Sequence, residues 1–228
     1  MKDKIVHDAK QATGLAIIID VFRAFTVEPY LIYNGVEKII PVGDKQIAYD
    51  LKEKNKDYIL VGERSGVKLP GFDFGNSPSQ IKNVDFSNKT VVHTTSCGTQ
   101  GIVNAINASE IITGSLVNAS AIAKYIKQNN FDEVSIVSMS RPNELPSAED
   151  DLCARYLKSL LEDTVFENLE DEIENLKITS GKKFFDSSMK EVFPEEDFYL
   201  CVEINKFDFV LRVNKDTNGM LYMEKIEI

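Results

Sequence analysis

The chain has 228 residues, enough for one large domain or two small ones with a substantial core. Hydrophobic residues make up 43% and charged residues 27%, and the formal net charge is −10. Such a charge balance argues against nucleic acid and anionic membrane as main partners, since both demand a broad basic face. It leaves room for a small anionic ligand held by a local cluster of cations.

No apolar run nears the ~20 residues of a membrane span, and the start, MKDKIVHDAKQATG, has no apolar signal core. Cys97, Cys153 and Cys201 are scattered and form no CxxC pair, which argues against zinc and a disulfide framework. A reducing cytoplasm is the expected location.

Residues 15–20 (LAIIID) form an apolar run ending in an acid, the pattern of a buried parallel strand. A helix is expected over 23–34, with Gly35 to end it. A strand at 38–42, a helix at 44–54 and a strand at 58–61 follow. Residues 62–78 (GERSGVKLPGFDFGNSP) hold four of the chain's twelve glycines and two of its seven prolines. This is a shaped loop, closed by Asn76-Ser77-Pro78 as a helix start. A strand at 90–94 leads through TSCGT into a helix at 100–107. Strands at 110–113 and 133–138 flank a helix at 118–127, and a helix runs from 147 to 162. The alternation predicts a three-layer α/β/α fold with a mainly parallel or mixed sheet.

The last third differs. Residues 162–176 are acidic and helical in pattern, a solvated face or a subunit contact, so homodimerisation stays open. Residues 181–192 are expected to continue as helix, and 209–213 with 220–226 to form a hairpin. The expected organisation is an α/β core over 1–165 and a smaller C-terminal α+β portion over 166–228, packed on that core.

In open α/β sheets, ligands bind beyond the carboxyl ends of the strands. Those ends carry Asp20 and Arg23, then Glu63 and Arg64, then Thr95, Ser96, Gly98 and Thr99, then Ser115, then Arg141. Acids suit a hard cation, arginines an anion, and hydroxyl-rich turns at helix starts a phosphate. Together they point to a phosphate ester with a bound divalent metal. Each has a plainer reading: Asp20 as a helix cap, Glu63 and Arg64 as a solvated pair, Asp73 as a turn residue. Glu149 and Asp150 would be acids favoured by a helix dipole.

Familiar phosphatase signatures are absent. The positions six residues after the cysteines, where a cysteine phosphatase needs arginine, hold Val103, Ser159 and Phe207. Phe22 stands where a haloacid-dehalogenase-type phosphatase carries its second aspartate, neither His7 nor His93 lies in an Arg-His-Gly turn, and no GxxxxGK[ST] loop occurs.

The segments IIIDVFRAFT, GERSGVKLPGFDFGNSP, TTSCGTQG, GSLVN and SAEDDLCA, in this order over residues 15–160, resemble the 2-phosphosulfolactate phosphatase family. The resemblance implies a Mg²⁺-dependent phosphatase of 2-hydroxycarboxylic acid phosphates. Its named reaction converts (2R)-O-phospho-3-sulfolactate to sulfolactate and phosphate in coenzyme M biosynthesis. On that reading Asp20, Glu63, Asp73 and Asp150 are the metal candidates. Arg23, Arg64 and Arg141 would pair with phosphate, carboxylate and sulfonate, and the start at Asn76 and Ser77 would add N–H donors. Either Asp20 attacks phosphorus, or water attacks with Glu149 or Asp150 as base. The rival readings are a module that binds and senses a phosphorylated hydroxy acid, and a metal-dependent lyase or isomerase.

Overall fold

The computed structural model describes residues 1–139 and 147–228. The chain begins with β1 (Lys2–Val6), β2 (Gly14–Ile19), α1 (Ala24–Tyr33), β3 (Lys38–Pro41) and α2 (Lys45–Lys54). Next come β4 (Ile59–Arg64), β5 (Val67–Lys68), α3 (Pro78–Ile81), β6 (Thr90–Thr94) and α4 (Gly98–Asn104). Then follow β7 (Ala108–Gly114), α5 (Ala119–Asn129), β8 (Glu133–Ser138) and α6 (Ala148–Leu161). The chain ends with α7 (Leu169–Leu176), α8 (Glu195–Cys201), β9 (Phe209–Lys215) and β10 (Leu221–Glu227).

Side chains of a strand alternate between faces, and β2 shows what that does here. Leu15, Ile17 and Ile19 pack with Ile122, Ile126 and Leu157 of α5 and α6. Ala16 and Ile18 pack on the other side with Phe25, Val27 and Leu31 of α1. Both faces of the strand are apolar because helices cover both, which gives the expected three layers around a mixed sheet.

The ten strands of the described residues run in the order β1-β8-β2-β7-β9-β10-β3-β6-β4-β5. β1, β8, β2 and β7 are parallel, as are β3, β6 and β4. The C-terminal hairpin lies between these two blocks, antiparallel to β7 through β9 and to β3 through β10. Strands from after residue 165 thus fill the middle of the sheet. Three antiparallel steps make the two blocks run in opposite senses along the ladder. Sheet twist of ~20–25° per step, over the six steps from β2 to β4, adds a rotation of ~120–150° that brings the carboxyl ends of both blocks to one side.

Several expectations need correction. The N-terminus forms β1, a strand the sequence reading did not anticipate, parallel to β8. Residues 62–78 are not all loop: β4 runs to Arg64 and turns into β5 through Ser65 and Gly66, both at positive φ (54° and 84°), the conformation of a two-residue hairpin. The acidic helix begins only at Leu169, because Asp163 and Asn168 adopt positive φ (54° and 60°). Residues 181–192 do not continue as helix beyond a short turn at Lys182–Phe185. There Asp186 Oδ1 accepts from the Ser188 N–H at 2.8 Å and its Oγ at 2.7 Å, offering the backbone an alternative to the helix. Among the described residues, no helix is long and apolar enough to cross a membrane.

Leu211, at the centre of β9, is fully buried. Leu211→Ala should lower stability by ~2–5 kcal/mol, the usual cost of such a truncation in a core, as read by urea unfolding. A loss below ~1 kcal/mol would mean that the hairpin is not integral to the sheet.

Candidate active site

A cavity of about 190 Å³ opens at the carboxyl ends of β2, β4 and β6, with Asp20, Arg23, Glu63, Asn76, Ser96 and Lys183 in its wall. Asp20 directly follows β2. Its Oδ1 accepts from the Ala24 N–H at 3.1 Å, capping the start of α1. Its Oδ2 lies against Gly98: a Cβ there would sit 2.9 Å from Oδ2 and 2.8 Å from the Ala24 Cβ, so only glycine admits this approach. Burial first, and then the charges of Glu63 and Glu149, raise the Asp20 carboxyl to about 6, against the opposing pull of the Ala24 N–H and Lys183.

Glu149 and Asp150 stand behind Asp20, both buried in the first turn of α6. Asp150 Oδ1 accepts from the Val21 N–H at 2.8 Å. Burial, then Glu149 and Asp20, push its carboxyl well up. Among the described residues, the buried Oε2 of Glu149 has no hydrogen-bond partner. Three acids held this way, one with an orphaned oxygen, form an electrostatic deficit that a cation would relieve.

Glu63 faces the cavity but is already engaged. It accepts from the Ser96 N–H at 2.6 Å and Ser96 Oγ at 3.0 Å, and from the Gly66 N–H. It clamps the β4–β5 turn to the loop after β6. Arg23 is engaged too. Its Nη1 lies 2.7 Å from Asp197 Oδ2 and donates to the Val192 carbonyl, while Nη2 donates to Gly66. The guanidinium stacks on Phe193, 4.8 Å from the ring centroid.

Among the described residues, the remaining candidates stand outside this cavity. Arg64 follows Glu63 on one strand and projects to the opposite side. It donates to the Gly43 and Glu63 carbonyls and to Thr94 Oγ1. Asp73 is turned to the outer edge of β4, where Oδ2 accepts from the Leu60 N–H at 2.8 Å and lies 3.4 Å from Lys52 Nζ. Phe72 and Phe74 on either side of it point inward and take the apolar positions.

Thr95 and Thr99 cap one another, each hydroxyl accepting the other's N–H. Ser115 closes a capping box with Asn118 and meets Thr26. The Ser77 hydroxyl donates to Asp197 Oδ1. These hydroxyls hold turns in shape rather than facing the cavity. Arg141 lies outside the described residues.

Sequence reasoning missed Lys183, Phe193 and Cys97, which also line the cavity, and Asp197, which anchors Arg23. Lys183 brings an ammonium over Phe22, Phe184 and Phe193. A weak signal was available for it: two lysines followed by two phenylalanines in a segment otherwise rich in acids.

The donor set can be tested against Mg²⁺. Among the described residues no group of three or more acidic, histidine or cysteine side chains is arranged to hold a metal. Mg²⁺, however, is commonly held by one or two carboxylates and completed by water and phosphate. Asp20, with Glu149 and Asp150 behind it, fits that sparse kind of site. Glu63 does not, because both its oxygens already accept from N–H or hydroxyl donors, and Asp73 does not, because it stands at the outer edge of β4 beside Lys52.

Comparison with known proteins adds an independent line. A family model described as 2-phosphosulpholactate phosphatase matches residues 1–216. A Bacillus subtilis (strain 168) protein named "Probable 2-phosphosulfolactate phosphatase" is 33% identical over 214 residues, 92% of this chain and 91% of its own length. A Thermoplasma volcanium protein with the same name is 33% identical over 198 residues, 87% of this chain and 88% of its own.

The raised Asp20 carboxyl has a consequence for stability. Unfolded it titrates near 3.8 and folded near 6, so between these values the native state holds the extra proton. Asp20 therefore costs stability as pH rises from about 4 to about 6, and the cost is level above that. Asp20→Asn keeps the cap and removes the charge. In EDTA its Tm should exceed the wild-type value by ~3 °C or more at pH 7.5, with the gap shrinking toward pH 4. A gap that is absent, or constant with pH, would contradict this.

Proposed function

The chain belongs to the 2-phosphosulpholactate phosphatase family, and from that membership and the cavity we propose that it hydrolyses the phosphate ester of a 2-hydroxycarboxylic acid with Mg²⁺, (2R)-O-phospho-3-sulfolactate being the substrate its relatives' names suggest. The observation that carries the reading is one small cavity holding a carboxyl near pKa 6 beside two cationic side chains, Arg23 and Lys183.

A substrate with phosphate, sulfonate and carboxylate groups is repelled at long range by a chain of net charge −10, so its recognition is local. Lys183 and the N–H donors that Arg23 retains face that charge. Without a metal Asp20 titrates near 6, so it is mostly ionised at neutral pH and can accept and release a proton there; a bound cation would lower that value. Its Oδ2 takes a proton from a water as the water oxygen bonds to phosphorus. The phosphorus–oxygen bond to carbon breaks, the departing alkoxide takes a proton from solvent, and Asp20 returns its own to solvent. Burial first, and then the charges of Glu63 and Glu149, keep the Asp20 pKa high. When bound, Mg²⁺ would supply neutralisation of phosphoryl charge, held by Asp20 with Glu149 or Asp150.

Phosphate release from a panel of phospho-hydroxy acids, with Mg²⁺ and with EDTA, tests the whole. Release should be fastest with the sulfonated ester and vanish in EDTA. Tight binding of the ester without release would indicate the sensing module instead. Asp20→Asn should lower kcat by ~10²-fold or more. Solvent oxygen should enter the phosphate in a single turnover, and a labelled phosphoenzyme trapped on Asp20 would replace water attack with direct attack by the carboxylate. Lys183→Ala should raise KM for the ester ~10-fold. An unchanged KM would take Lys183 out of substrate binding.

A further inference from the structure

Behind the cavity wall lies a buried ionisable pair that this reaction does not use. His93 of β6 and Glu28 of α1 are both fully buried. The ring Nδ1 is 2.9 Å from Glu28 Oε1, and the Thr113 hydroxyl donates to Glu28 Oε2 at 3.3 Å. The other ring nitrogen, Nε2, is 3.3 Å from Oδ1 of Asn76, which itself lines the cavity. The Asn76 amide nitrogen has no protein partner among the described residues.

The proton count of the pair decides what Asn76 presents. With a carboxylate at Glu28 and a ring protonated only on Nδ1, the pair carries a full negative charge. No lysine or arginine stands against it among the described residues. An uncompensated charge at such depth is expensive. One more proton, shared between Glu28 Oε1 and Nδ1, makes the pair neutral overall. Whichever of those two atoms holds it, Nε2 then carries a hydrogen. Burial also pushes the Glu28 carboxyl up, with the His93 and Thr113 hydrogen bonds acting in the opposite sense. An Nε2–H donates to Asn76 Oδ1, and the amide NH₂ is turned to the cavity.

We propose that Asn76 binds an anionic oxygen of the substrate through its side-chain N–H, and that the buried Glu28–His93 pair is the positioning device that fixes the amide in that orientation. A neutral pair with its proton on Nε2 presents a donor to the anion; the opposite tautomer would present a carbonyl and repel it. The identity of the anion rests on the phosphatase reading. The proton pattern does not.

The chain has two histidines, so ¹⁵N-histidine labelling with His7→Gln for assignment reads His93 directly. Nε2 of His93 should be protonated at pH 7, and a bare Nε2 overturns the proposal. Kinetics supply the second arm. Asn76→Ala should raise KM ~10-fold with kcat within ~3-fold, the scale of losing one hydrogen bond to a charged group. His93→Phe should do the same, and adding it to Asn76→Ala should cost nothing further. Glu28→Gln, which donates to Nδ1 and still accepts from Thr113, should stay within ~3-fold of wild type because Nε2–H survives.

An unchanged KM in Asn76→Ala, or His93→Phe and Asn76→Ala losses that multiply, overturns the proposal, as does a Glu28→Gln enzyme as impaired as His93→Phe. If the wild type releases no phosphate from any ester, the phosphatase reading fails by itself. The same variants are then compared by calorimetric titration with inorganic phosphate, where Asn76→Ala and His93→Phe should each weaken binding ~10-fold and unchanged binding overturns the proposal.

Discussion

The site depends on one buried ion pair, Arg23 with Asp197, whose side chains are 3% and 0% exposed. Removing one partner of such a pair strands a charge in the interior, at a typical cost of ~3–5 kcal/mol. Asp197 also accepts from the Ser77 hydroxyl and the Ser79 N–H, so one carboxylate holds the start of α1, the start of α3 and the C-terminal segment together. Through it, Phe193 reaches the cavity and rests on the backbone at Gly66, where a Cβ would come within 2.2 Å of the ring. Arg23 is thus an architectural residue first, and the same fastening brings Lys183 to the mouth of the cavity.

The acids are arranged in the opposite spirit. Asp20, Glu149 and Asp150 are buried together with few donors, and two of them have strongly raised pKa values as a result. A fold selected for stability alone would not keep such a cluster. Perturbed carboxyls that gather beside a cavity mark a functional site when a geometric role goes with them. Here the candidate role falls to Oδ2 of Asp20, which accepts no hydrogen bond among the described residues. The hydroxyl-rich turns around it contribute rigidity: their side chains cap one another, which leaves the cavity lined by a few well-held groups.

Much of this was legible from residue order. The apolar strands, Pro78 at the start of α3, Asp44 capping α2 through the Gln46 N–H and the C-terminal hairpin all follow local rules. So did Asp20, as an acid ending an apolar strand before a helix. Arg64 and Asp73 were misplaced because loop composition does not say which way a side chain points. Strand alternation, once β4 was seen to run through Arg64, allowed only one of Glu63 and Arg64 to face inward. The helix expected over 181–192 gave way to an Asx-type turn at Asp186, a local competitor that periodicity does not weigh.

By itself, then, the sequence determined most of the element types, the layered α/β class, the family and the acid at the end of β2, because each rests on short-range patterning that survives without a partner. Tertiary structure alone decided that the final hairpin lies mid-sheet, that Asp197 claims Arg23, that Lys183 joins the cavity and that Glu28 and His93 stand behind Asn76. These are contacts between residues far apart in the chain. Their partners are chosen by burial, since a charge or polar group removed from water must find a complement wherever the fold has placed one.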